Sequence, residues 1–201
     1  MRQHITKIVL GLLLLPALSA PVPAEEVDPA ARDAVGFMRS VMDQVNPALA
    51  IEDSHCVKTL PRAIYKHSEA MGVDWREVFT LAWQESAFDC HAKNRRDRGG
   101  AYGPFQIRRL WEAQIGDPRI RYYDPELAVK RVLRVLRYYR ESDRYKELKR
   151  QGFRFPLLCL YNAGESQQVG RGYCLKVGRK MDAVRKGWKD YQAGRLVAIS
   201  G

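Results

Sequence analysis

Apolar side chains recur at three- and four-residue steps along much of this chain, and this period is typical of amphipathic helices. The first such segment predicts a helix that begins at Asp28-Pro29 and ends at Asn46-Pro47. A second helix is predicted over about residues 60–71, and a third, capped by Asp74, over about residues 75–88. The apolar stripe of the first helix consists of Val35, Met38, Met42 and Val45.

The second half of the chain keeps this period but is interrupted by polar loops. Residues 89–102 are polar and basic and end in glycines, so they predict an exposed loop or a small hairpin. Helix is expected again over about residues 105–114, and a long helix is expected from Glu126 onward. Two further helices are predicted over about residues 155–161 and 175–191. No segment alternates strongly, so the sequence predicts one mainly helical domain with at most a small β-hairpin.

The first 24 residues have the features of an export signal. A basic start is followed by an apolar run from Ile8 to Leu15, and Ala24 is the predicted cleavage site. The run is shorter than the roughly 20 residues that a membrane-spanning helix needs. We therefore expect a periplasmic or secreted protein that is not stably inserted in a membrane after the signal peptide is removed.

The charge balance of the chain favours an anionic partner. The formal net charge is +11, and peptidoglycan, acidic envelope polymers, membrane surfaces and nucleic acid would all satisfy it. Export makes nucleic acid the least accessible of these, so no nucleic-acid partner is expected.

Basic residues are dense between Lys130 and Arg150, around an apolar stripe. This segment either binds an acidic surface or has a core-facing stripe with a solvated basic back, and we favour the second interpretation.

The four cysteines predict two disulfide bonds, because cysteines in an oxidising compartment usually pair. Three pairings are possible. We favour Cys56–Cys90 and Cys159–Cys174, since each closes a local loop around a candidate functional segment. The alternative is a zinc site in which the first two cysteines and the histidines beside them are ligands. Adjacent ligands lack the usual spacer of about two to four residues, so no metal is expected.

Glu85 is a carboxylate set into an apolar helix face. At about 100° per residue, its neighbours on that face are Val78, Leu81 and Ala82. Burial disfavours the charged form and raises the pKa of a carboxyl group unless a cation compensates. An acid that keeps its proton near neutral pH can donate it to a glycosidic oxygen. The alternative is a structural glutamate paired with an arginine, and the spacing alone does not decide between the two.

Three sequence blocks surround this glutamate in order. They are WQESAF at 83–88, GAYGPFQ at 100–106 and YNAG at 161–164. Together they resemble the ordered motifs of the soluble-lytic-transglycosylase-like (SLT) family of the lysozyme-like superfamily, over about residues 57–190. The resemblance implies a mainly α, lysozyme-like α+β fold in which Glu85 ends a helix at the floor of a saccharide cleft.

What the resemblance implies for function is lytic transglycosylase activity. Glu85 would protonate the bond between N-acetylmuramic acid and N-acetylglucosamine, then act as a base on the 6-hydroxyl group to form a 1,6-anhydro product. The substrate's own N-acetyl group stabilises the intermediate, so neither a second catalytic carboxylate nor a cofactor is expected. The expected substrate contacts are Ser86, Phe105, Gln106, Tyr161 and Asn162.

Each of these contacts also has a structural alternative, such as an ordinary helix hydroxyl at Ser86 or a core tyrosine at Tyr161. The chain departs from the family's common pattern at Pro104-Phe105, where Leu-Met is usual. Proline stiffens the turn, and Phe105 is expected to offer an aromatic face on which a sugar stacks.

On this basis we divide the chain into a signal peptide (1–24), an N-terminal helix and connector (25–56), a catalytic domain (57–190) and a tail (191–201). The expected partner is peptidoglycan, and a secretion or conjugation apparatus is a candidate partner of such a wall-cutting enzyme. Two other functions remain open. One is a lysozyme-type hydrolase, and the other is a non-catalytic cationic wall-binding or scaffold protein in which Glu85 is structural.

Overall fold

The computed structural model describes residues 28–49, 53–94, 100–108, 111, 123–164 and 169–199, so the predicted signal peptide lies outside the described part. The described residues form seven helices and one small antiparallel sheet with the order β1-β2-β3. The helices are α1 (Pro29–Val45), α2 (Ser54–Met71), α3 (Trp75–Ser86), α4 (Pro125–Glu141), α5 (Asp143–Arg150), α6 (Pro156–Ala163) and α7 (Arg171–Gln192). The strands are β1 (Lys93–Asn94), β2 (Ala101–Tyr102) and β3 (Ile107–Arg108). The predicted mainly helical fold class is confirmed.

Aspartate side chains cap four of the seven described helices, among them α1, α3 and α4. The side chains of Asp28, Asp74 and Asp124 accept hydrogen bonds from backbone N–H groups in the first turns of α1, α3 and α4. These bonds satisfy N–H groups that have no acceptor within the helix. The helix starts predicted at Asp28 and Asp74 therefore coincide with these caps, and α1 ends at Val45 as predicted.

Several predicted boundaries were wrong. Helix α2 begins at Ser54 instead of about residue 60, because the Asp53 side chain caps it. The long helix predicted from Glu126 is two helices, since Ser142 adopts an extended conformation and caps α5. The helix predicted over 105–114 is absent at residues 105–108. Gln106 has a positive φ of 47° there, and the chain continues into β3.

Helix α3 lies in the core and packs against α2, α4 and α7. Its buried residues occupy most of its circumference, which is typical of a core helix. Helix α4 buries the predicted stripe, while Arg134 and Arg137 on its other side are exposed. This agrees with the core-facing interpretation of the basic segment. The buried residues of α3 are Trp75, Val78, Phe79, Thr80, Leu81, Ala82 and Trp83.

Helix α1 covers the core with a face slightly different from the predicted one. Met38 and Met42 are buried as predicted, whereas Val35 and Val45 are only partly buried. Within the described ranges, no helix combines the length and the apolarity that crossing a bilayer requires. The other buried residues of α1 are Ala34, Phe37 and Val41.

Candidate active site

Glu85 is half-buried in the last turn of α3, where the chain reverses sharply. The next residues, Ala87 and Phe88, have φ values of 53° and 68°. Successive non-glycine residues with positive φ are uncommon and persist only where the surroundings fix them. Here the Phe88 ring is buried and stacks on Phe79 with 4.7 Å between centroids. The core thus determines where α3 stops and where Glu85 points.

Tyr173, in the first turn of α7, is bonded directly to this glutamate. Its hydroxyl group donates a hydrogen bond of 2.6 Å to Glu85 Oε1. Burial raises the pKa of Tyr173 far above its ordinary value, and the nearby charge of Glu85 raises it further. The phenol therefore keeps its proton and remains a donor, so it fixes the orientation of the carboxyl group.

Tyr161, on α6, lies in the same environment but makes a different bond. Its hydroxyl group donates to the backbone carbonyl of Phe105 at 2.7 Å. Burial and, next, the charge of Glu85 raise the pKa of Tyr161 well above its usual range. Tyr161 thus ties the third sequence block to the second while lying within the electric field of Glu85.

The second block is fastened to the end of α3 as well. The Ser86 hydroxyl lies 2.9 Å from the carbonyl oxygen of Pro104 and 3.3 Å from that of Ala82. The Gln106 side-chain amide donates to the carbonyl of Gly103 at 3.0 Å. These bonds fix the turn between β2 and β3 next to Glu85.

The structure brings the three predicted blocks together, with one correction. The Phe105 side chain is fully buried, so the prediction that its ring offers a stacking face for a sugar was wrong. Its ring is part of the core, and its backbone carbonyl accepts the hydrogen bond from Tyr161. Asn162 is exposed at the end of α6 and Gln106 is partly exposed.

Lys180, on α7, places a cation near the C-terminal end of α3. Its Nζ atom lies 3.4 Å from the carbonyl oxygen of Trp83 and 5.0 Å from the centre of that residue's ring system. Burial lowers the pKa of Lys180, and the charge of Glu85 partly offsets this effect. A cation is favourable at this position because the helix dipole is negative there.

The sequence analysis missed Tyr173 and Lys180. Both belong to a stripe that includes Val177 and Val184 and has the spacing of one helix face. The prediction began the last helix at about residue 175, which left Tyr173 outside it. The helix begins at Arg171, and an earlier start would have placed Tyr173 on the face that packs against α3.

Two disulfides border the site, in the pairing that the sequence analysis favoured. Cys56–Cys90 joins α2 to the turn after α3, and Cys159–Cys174 joins α6 to the first turn of α7. Three of the four ligands of the zinc alternative have other partners. Cys56 and Cys90 are bonded to each other, and His91 Nε2 lies 3.1 Å from the Asp53 carboxylate.

The sequence model of the transglycosylase SLT domain family matches residues 62–171, which is more than half of the 201-residue chain. This range includes α3, the turn between β2 and β3, and α6, which together surround Glu85. The chain belongs to the transglycosylase SLT domain family. Searches of curated proteins and of solved structures gave no significant match to the SLT chain.

Membership in the SLT family confirms the resemblance that the three blocks indicated. SLT domain proteins act on peptidoglycan outside the cytoplasm and include lytic transglycosylases. The SLT domain of this chain therefore supports a lytic-transglycosylase-type or lysozyme-like activity.

Proposed function

We propose that this protein is a peptidoglycan lytic transglycosylase in which Glu85 is the catalytic acid and then the catalytic base. The bond it cleaves is the β-1,4 bond between N-acetylmuramic acid and N-acetylglucosamine. The observation that carries the proposal is the 2.6 Å hydrogen bond from Tyr173 to Glu85 at the end of a core helix.

In the first step, protonated Glu85 donates its proton to the glycosidic oxygen, and the bond from that oxygen to C1 of the muramic acid breaks. Buried apolar neighbours such as Leu81 and Ala82 favour the neutral acid before the reaction. The N-acetyl oxygen of the substrate stabilises the positive charge that develops at C1. The leaving N-acetylglucosamine departs with a hydroxyl group at its fourth carbon.

In the second step, the Glu85 carboxylate removes the proton from the 6-hydroxyl group of the muramic acid. The oxygen attacks C1 and closes the 1,6-anhydro ring, so no water is consumed and Glu85 is protonated again. Tyr173 has its largest effect between the two steps, because a hydrogen bond to a charged oxygen is stronger than one to a neutral acid. The Lys180 cation favours the same charged form.

Substrate recognition is proposed for the exposed polar groups around this centre. Gln106, at the end of the second block, and Asn162, in the third block, supply amide groups, and such groups can bond to sugar hydroxyl and acetamido groups. Ser86 acts mainly through Pro104, because its hydroxyl group already contacts that carbonyl. The signal peptide and the association with a secretion or conjugation apparatus stay predictions.

The test is digestion of purified peptidoglycan, with the products analysed by mass spectrometry. The wild-type protein should release 1,6-anhydromuropeptides. Glu85→Gln should lower the rate by about 10² to 10⁴, the usual contribution of a general acid. The matched control is Glu77→Gln, the same substitution two turns earlier on α3, which should keep the wild-type rate.

Three outcomes would contradict the proposal. Full activity of the Glu85→Gln protein would exclude Glu85 as the acid. Products with a reducing end and the mass of one added water would identify a lysozyme-type hydrolase. Salt-sensitive binding to peptidoglycan without any turnover by the wild-type protein would indicate a cationic wall-binding protein.

A further inference from the structure

The first turn of α7, which carries Tyr173, has little local support. The helix begins after Gly170, and no side chain caps it. Arg171 and Gly172 are exposed, and the first N–H groups of a helix have no acceptor within it. Glycines on both sides of Arg171 leave this backbone conformationally free. On these grounds alone the turn should fray.

The packed part of α7 begins one turn later. Val177, Met181 and Val184 are fully buried and anchor the helix from residue 177 onward. Ahead of this anchor, Val169 is buried and the Tyr173 ring packs partly against the core, so the turn between them is held more lightly than the rest of α7.

A covalent bond reaches the turn at the residue that follows Tyr173. Cys174 is bonded to Cys159, with 5.0 Å between their Cα atoms. Cys159 is buried, on the helix that also carries Tyr161. One disulfide therefore joins α6 to the first turn of α7, and these are the elements that carry Tyr161 and Tyr173.

We propose that the Cys159–Cys174 disulfide is a positioning element for catalysis, which holds the first turn of α7 so that the Tyr173 hydroxyl stays on Glu85. This proposal rests on the proposed role of Glu85. It makes full activity of the enzyme dependent on the oxidised state of this cysteine pair.

The second disulfide provides a matched control within the same molecule. Cys56 and Cys90 are both fully buried and join α2 to the turn after α3, at a sequence separation of 34. Neither cysteine is next to Tyr173 or in its helix. Loss of this bond should lower the stability of the fold without releasing the tyrosine.

The experiment compares C159A/C174A with C56A/C90A on a soluble glycan oligosaccharide, at a temperature where circular dichroism shows both variants folded. C159A/C174A should lower kcat by about 10- to 100-fold, the cost of misplacing a catalytic group by about 1 Å. Its KM should stay within about twofold, because the lost interaction acts in the transition state. C56A/C90A should lower Tm, and any loss of kcat in it should add to that of Tyr173→Phe, because this bond lies beside the end of α3 and not beside Tyr173.

A combination with Tyr173→Phe tests whether the disulfide acts through the tyrosine. If it does, adding C159A/C174A to the Tyr173→Phe protein should cause no further loss, because the two changes remove one interaction. Fully additive losses would overturn the proposal, and so would wild-type kcat in C159A/C174A.

Mild reductant gives the same test without mutation. Activity should fall in step with alkylation of Cys174, which is more accessible than the fully buried Cys56 and Cys90.

Hydrogen exchange separates this proposal from the proposed activity, because it needs no turnover. Peptides covering residues 169–176 should exchange faster in C159A/C174A than in C56A/C90A. Unchanged exchange there would show that the disulfide does not hold the turn. An inactive wild-type protein with disulfide-dependent exchange would instead refute the proposed enzyme activity and leave the hold on Tyr173 in place.

Discussion

The two ends of α3 are held by different kinds of interaction. At its first turn, Asp74 caps the helix and its carboxylate lies 2.7 Å from Arg76 and 3.6 Å from Arg185. At its last turn, Tyr173 is bonded to Glu85, the Phe88 ring lies beneath the chain reversal, and the Lys180 ammonium group lies against the Trp83 carbonyl. Ion pairs that are partly accessible to solvent fix the first end, and mainly buried contacts fix the last.

This difference separates stability from chemistry along one helix. Partly exposed ion pairs are weak and respond to pH and salt. A catalytic acid placed among them would change its environment with every change in the medium. At the buried end, the orientation of Glu85 depends on packing and on Tyr173, whose raised pKa keeps its hydroxyl group protonated over a wide pH range. Substitutions at the first end should therefore alter stability alone, and those at the last end should alter chemistry.

Phe88→Ala should have the largest effect on stability. The ring is fully buried and stacks on Phe79, and removing a buried phenylalanine side chain costs about 3–5 kcal/mol of unfolding free energy. Urea denaturation measures the change. Phe88→Leu, which keeps most of the volume, should cost less than about 1.5 kcal/mol. Equal losses for alanine and leucine would show that packing does not fix this helix end.

Tyr173→Phe should be next, with its effect on the reaction. Removing the hydroxyl should lower kcat by about 10- to 100-fold, since a hydrogen bond to a charged group contributes about 1.5–3 kcal/mol. Steady-state kinetics on a soluble glycan oligosaccharide measures it. Tyr191→Phe, at the other end of the same helix, should keep the wild-type kcat. A Tyr173→Phe enzyme with unchanged kcat would remove the tyrosine from the mechanism.

The sequence predicted the parts of this site that depend on local rules. Asp28 and Asp74 stand directly before apolar-periodic segments, and each begins a helix because a short acidic side chain satisfies free N–H groups. Glu85 was identifiable because a carboxylate within an apolar helix face is rare. The three blocks then indicated which elements meet around it.

The parts that escaped prediction depend on contacts between distant residues. Tyr173 is 88 positions from its partner Glu85, and no period within one helix reports such a pairing. A phenylalanine at position 105 looks the same in the sequence whether its ring faces a groove or the core, and only the tertiary packing shows that the ring is buried. Gln106 adopts a positive φ, which turned a predicted helix into a strand.

Asp74→Ala tests the other end of α3 and should have a smaller effect. Loss of the cap and of its ion pairs should cost about 1–2 kcal/mol of unfolding free energy, with kcat unchanged well below Tm. Asp74→Asn separates the two contributions, because asparagine caps as well as aspartate but forms no ion pair. It should cost less than about 1 kcal/mol. A large fall in kcat for either variant would end the separation of stability from chemistry along α3.

Glu77→Gln should have the smallest effect, and its sign depends on pH. Burial raises the pKa of Glu77 above its ordinary value of 4.5, Asp74 raises it further, and nearby arginines only partly oppose this. The folded protein therefore holds this proton more tightly than the unfolded chain, so the resulting stabilisation is complete below pH 4.5 and is lost as the pH rises through the raised pKa. Glutamine does not titrate. The Tm values of variant and wild type should coincide at low pH, and the variant should be more stable near neutral pH by up to about 3 °C. Thermal denaturation over this pH range measures the difference, and a variant less stable than wild type at neutral pH would show that the arginines outweigh burial at this end of the helix.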